Sequence, residues 1–226
     1  MVTPIVVVME GHPAQRLSLA EHRERIAAAR SSLSALGAVL WQAPSGGGTE
    51  GLAGLLGEVD GLVMAGEAAR VAVTREALGR GETSGGSAAM TPTQWVRHHA
   101  PSTRAGGSGT VVALAQAFGK AINQPIEQAV EAGRLPARSA AVVVSEADKL
   151  RPLLADGAEP HVLEGLIAMA AQHGPSGCRL LRPAMLAKYG RDGVLRLGQG
   201  DEGLPHVLLV LQHAIPPVLR QHRGAQ

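Results

Sequence analysis

The sequence predicts an all-α protein: a long N-terminal helical hairpin, then a bundle of short helices, with a small hairpin left open near the C-terminus. Three observations predict it. The chain is 45% hydrophobic but only 2% aromatic, so its core has to come from Leu, Val, Ala and Met, a composition that favours helix over strand. Apolar residues recur at helical rather than alternating spacing. Pro and Gly punctuate these stretches where helices start and stop.

Residues 1–78 read as the hairpin. In "LSLAEHRERIAAARSSLSALGAVLW", Leu19, Ile26, Leu33 and Leu40 recur every seven residues, with Ala29 and Leu36 between them. That is one apolar stripe on a long helix, as a helical hairpin or coiled coil uses. "PSGGG" (Pro44 to Gly48) ends it. Leu52, Leu55, Leu56, Val59, Leu62 and Val63 then keep a 3.6-residue period, continued by Ala69, Val73 and Ala77. Two long helices joined by a short Gly turn predict an antiparallel pair. The same stripe would serve a homo-oligomer through the N-terminal helices. Gly54, Gly57, Gly61 and Gly66 each weaken the second helix. The opening "TPIVVVM" reads equally as a strand, a helix start or disorder.

Residues 79–89 form a Gly/Ser loop that separates the hairpin from a helical domain over 90–190. There Thr91 is an N-cap with Pro92 at the first helical position, and the helix stops before Pro101. "TVVALAQAFGKAI" places Val111, Leu114, Ala115, Phe118 and Ile122 on one stripe. "NQPIEQAVEAGRL" starts at Pro125 and stops at Gly133. "PARSAAVVVSEADKLRPLL" is a longer helix ending near Pro152, with Ser145 as an alternative start. "EPHVLEGLIAMAAQHG" stacks Val162, Leu166 and Ala170 and ends at Gly174. "CRLLRPAMLAKYG" follows, with Pro183 a kink or a late start. Trp95, Leu114, Phe118 and Leu166 are the expected core. Residues 191–226 read as an irregular tail in which Asp192-Gly193 signals the small hairpin.

Composition narrows the function. A formal charge of +2 permits a basic face without demanding one. The single cysteine, Cys178, excludes a disulfide or a Cys-based zinc site within one chain and suits a reducing cytoplasm. The N-terminus lacks a basic leader region, and "HVLLVLQHAI" is about half the length needed to span a bilayer. No membrane association is expected.

Catalytic motifs fail on spacing. His98 and His99 are adjacent on a helix, so they point about 100° apart and cannot both face one metal. Gly119-Lys120 is followed by Ala121, and Leu114 stands where a phosphate loop needs its first Gly. "GGSGT" and "GPSGC" both miss the nucleophile elbow. No catalytic residue, metal, cofactor or small-molecule substrate is expected. Glu127 and Glu131, four apart, read as a solvated helix face, and Trp95 as an anchor between helices. What remains is cationic. Arg97, Arg104, Lys120, Arg134 and Arg138 lie in the short-helix region against only Glu127 and Glu131. Short helices joined by Gly-containing turns are how helix-turn-helix units are built, so these five are the candidate DNA-phosphate contacts.

The run "EAARVAVTREALGRGE … SAAMTPTQWVRHHAPSTRAGGSGTVVALAQAF … PIEQAVEAGRLPARSAAVVV" resembles the helical domain of unknown function in actinobacterial HNH-endonuclease-linked repeat proteins. The likeness lies in helix order and small motifs: a Trp-Val step, an "LA.A" core, a "PIxxAVxxGRL" helix and "SAxxAxVVV". "AAQHGPSGCRLLRPAMLAKYG" is similar to the helix pair that follows. The likeness covers roughly Gly51 to Gly190. It implies a helical module placed before a C-terminal HNH nuclease, where a His activates water and a divalent metal stabilises the phosphoryl transition state. The chain departs there. Beyond Gly190 it carries His206, His213 and His222 but neither Asn nor Cys pairs, and no HNH motif carries over. The resemblance therefore implies a non-catalytic module that assists DNA binding through a weak basic face, ending in a diverged or truncated tail. The alternatives are a protein-interaction or oligomerisation module, or an inactive remnant of a longer nuclease.

Overall fold

The computed structural model describes residues 17–39, 51–83 and 90–191. Among them are seven α-helices: α1 (Leu19–Val39), α2 (Leu52–Gly79), α3 (Pro92–His99), α4 (Ser108–Phe118), α5 (Gln124–Glu131), α6 (Ala137–Leu150) and α7 (Glu159–Tyr189). Short 3-10 turns occupy Pro101–Thr103, Ala121–Asn123 and Arg151–Leu153. The described residues contain no strand, only an isolated bridge between Leu154 and Gly190. The fold is all-α, as the composition predicts. Leu40, most of the Gly/Ser loop and the expected hairpin at Asp192-Gly193 lie outside the described residues.

The chain divides into two compact units, Met1–Gly54 and Leu55–Gln226. In the first, α1 begins with a reciprocal cap. The Ser18 backbone N–H donates to Glu21 Oε2 at 2.6 Å, and the Glu21 N–H donates to Ser18 Oγ at 3.2 Å, so two of the donors a helix start leaves unsatisfied are met. The Ser18 backbone N–H, and after it the Ser18 hydroxyl donating to the same oxygen at 2.8 Å, hold the Glu21 carboxyl below its ordinary range. Along α1, Leu19, Ile26 and Leu33 are 67%, 66% and 41% exposed.

In the second unit α2 runs unbroken through its glycines. Its buried residues, Val71, Thr74 and Ala77, all lie toward its C-terminal end, while Leu56, Leu62 and Val63 are exposed. Both long helices cover the residues the apolar spacing predicts, and Val73, expected on the α2 stripe, is exposed.

The core is built mainly by α4, α5, α6 and α7, with Leu114, Ile126, Val143, Leu150, Leu166 and Leu181 almost completely buried. Of the expected core residues, Leu114, Phe118 and Leu166 are buried, and Trp95 packs half-buried against the core. Ile122 is a correction. It is 44% exposed, because α4 ends at Phe118 and the chain turns through Gly119 and Lys120 before Ile122. Ile126 on α5 enters the core instead.

The long α7 is two helices folded at Gly174, whose φ of 67° and ψ of −166° lie in a region essentially reserved for glycine. On a straight helix Gly165 and Met185 would stand about 30 Å apart. Here a Cβ on Gly165 would meet Met185 Cε, and one on Gly177 would meet Met169 Cγ at 3.0 Å. The halves therefore lie against each other, and Cys178 Sγ approaches the Leu166 carbonyl at 3.6 Å. Burial pushes the Cys178 thiol up to about 11. The second half stays helical through the exposed Pro183, which forgoes one backbone hydrogen bond, while Cys178, Leu181 and Met185 are buried on the opposite side.

Candidate nucleic-acid interface

The stretch from Met90 to Val112 forms α3, a connecting turn and the start of α4. Thr91 closes a capping box: its Oγ1 accepts from the Gln94 N–H at 3.3 Å, and its own N–H donates to Gln94 Oε1 at 2.9 Å. Pro92 presets the first turn. Val96 is buried and Trp95 half-buried, which fixes the rotation of the helix and turns Arg97, His98 and His99 outward. These three occupy the last turn, where the helix dipole favours positive charge. The His99 ring lies 4.7 Å from the Trp95 ring and 4.8 Å from that of His98. Among the described residues no three His, Cys, Asp or Glu side chains gather as a metal would require.

The connection from α3 to α4 spans Ala100 to Gly107, longer than the three or four residues of a compact helix-turn-helix. Thr103 is buried, and its hydroxyl donates to the Ala100 carbonyl at 2.8 Å. Gly106 and Gly107 both have positive φ, 142° and 95°, which lets the chain reverse into α4. Arg104 Nε donates a long 3.3 Å hydrogen bond to the Arg97 carbonyl, so the two arginines share one corner. No side chain caps α4, whose first-turn N–H groups are the donors that helices offer to anions.

The five sequence-predicted cations are all exposed. None stands within ion-pair distance of a carboxylate among the described residues, whereas Arg75, Arg80, Lys149 and Arg151 all do. The five do not form one patch. Arg97 lies in the last turn of α3 and Arg104 in the connection to α4. Lys120 follows its far end, about 16 Å along the 11-residue helix. Arg134 lies in the α5–α6 connection and Arg138 in the first turn of α6. The outward positions of α4 are Gly109, Ala113 and Gln116, so this helix offers almost nothing that could read base edges.

Glu127 is a further correction. It is not on a solvated face: Arg75 of α2 pairs with it, and its side chain is only 16% exposed. Glu131 stays exposed, so the two carboxylates do not act together. Arg75 and Glu127 close one side of a shallow recess floored by Val71, Phe118 and Val130, too small to hold a ligand. A sequence signal that the local charge count overlooks is sharper: no Asp or Glu occurs between Glu82 and Glu127. The entire α3–α4 unit is thus free of acidic side chains.

Among the described residues no helix is long and apolar enough to cross a membrane. Compared with known proteins, the chain matches no protein-family model, no curated protein and no solved structure.

Proposed function

We propose that the chain is a non-catalytic helical module that holds DNA by its phosphate backbone, the role implied by the resemblance to HNH-linked helical domains. The observation that carries this reading is the Arg97–Arg104 corner: two exposed arginines linked by one hydrogen bond, without carboxylate partners among the described residues, in a segment without acids. Phosphate contacts of this kind position a protein on a duplex without reading its sequence. Lys120, Arg134 and Arg138 supply secondary contacts wherever the duplex reaches them.

Fluorescence anisotropy with two labelled duplexes of unrelated sequence tests the proposal. Both bind with the same affinity at about 50 mM salt, and that affinity falls steeply by about 200 mM. Absence of binding at the lower salt would sink it, and a strong preference for one duplex would contradict backbone recognition.

A further inference from the structure

Two apolar stripes stand exposed on the long helices. On α1 the stripe is Leu19, Ile26 and Leu33; on the N-terminal half of α2 it is Leu52, Leu56, Leu62 and Val63, each at least 50% exposed. Large exposed apolar surface on a protein marks a contact it makes. The charges beside the stripes differ in sign. At 3.6 residues per turn, Arg23 and Arg30 flank the α1 stripe on one side and Arg25 on the other, with Glu21 and Glu24 turned away. The α2 stripe is flanked by Glu58 on one side and Asp60 on the other, and no Lys or Arg occurs between Arg30 and Arg70. Two α1 helices brought together would set arginine against arginine, which disfavours their pairing.

We propose that α1 of one copy seats on the α2 stripe of a second copy, in a reciprocal dimer. Each α1 stripe, about 21 Å from Leu19 to Leu33, matches an α2 stripe of about 16 Å from Leu52 to Val63. Apolar residues meet along the seam while Arg23, Arg25 and Arg30 face the partner's Glu58 and Asp60. The exchange makes the same contact twice and closes on itself, as a two-fold dimer requires. It uses none of the five cations offered to DNA.

A charge swap tests it on the full chain by size exclusion with light scattering. The unaltered protein runs as a dimer. Arg23→Glu/Arg30→Glu sets acid against acid, and Glu58→Lys/Asp60→Lys sets base against base, so each variant alone dissociates at least about tenfold more readily. Mixed in equal amounts, the two variants regain both matched contacts and dimerise again. Recovery in the mixture also shows that each variant is folded. An unaltered chain that stays monomeric at all concentrations, variants that dimerise undiminished, or a mixture that fails to recover would each overturn the proposal.

Discussion

Two helix junctions in this protein carry arginines to opposite ends. At the end of α6, Arg151 donates to Glu159 Oε1 at 2.6 Å and to Asn123 Oδ1 at 2.5 Å, and it pairs with Asp148. Asn123 in turn donates to the Ala117 carbonyl at 2.9 Å. One side chain thus ties the ends of α4 and α6 to the start of α7. At the end of α3, Arg97 and Arg104 are exposed, with no carboxylate within reach among the described residues. An arginine with its hydrogen bonds met inside the fold holds helices together. One without a carboxylate partner keeps its charge available to an outside anion.

The comparison can be broken from the structural side first. Arg151→Ala leaves the Asn123 carbonyl oxygen and the Glu159 carboxylate without their partner. It is expected to cost about 2–3 kcal/mol of stability, measured by urea unfolding, with duplex affinity unchanged at temperatures where the fold persists. Loss of less than about 0.5 kcal/mol would show that the junction does not hold the helices. Thr91→Ala removes the cap that orients α3 and is expected to cost about 1 kcal/mol. It should weaken duplex binding by loosening Arg97, although it removes no charge.

Cys178 sharpens the picture of the interior. Its folded thiol titrates near 11 against an ordinary value of 9.0, so the unfolded chain gives up its proton first. The thiol's contribution to stability is therefore complete below about pH 9 and is lost as pH rises through about 11. Iodoacetamide should modify Cys178 slowly at pH 8 and rapidly once urea opens the fold; fast reaction in the native state would contradict its burial. The smallest stability effect falls on the free corner. Arg97→Ala/Arg104→Ala should change unfolding by no more than about 0.5 kcal/mol, which makes it the clean probe of binding.

Features set by short-range chemistry were legible in the sequence. Thr91 and Pro92 start α3, Gly133 (φ 66°) ends the short α5 region, and Gly174 divides α7, each because neighbouring residues decide the local backbone. Ile122 was misplaced because a helical stripe was carried past Gly119, where the chain stops being helical. Glu127 was misread because its partner, Arg75, is 52 residues away, and no local spacing reveals such a pair. The Arg151 junction escaped notice for the same reason, since it joins residues from three elements. The basic corner was partly legible: its arginines were identified, and the acid-free span around them was available to a longer window.

The most direct test is the slope of log affinity against log salt for a duplex, compared between the unaltered chain and Arg97→Ala/Arg104→Ala. Each phosphate contact contributes about −0.9 to that slope. The account predicts that the variant's slope is shallower by about 1.8, with its fold intact. An unchanged slope, or a protein that binds no duplex at low salt, would contradict it.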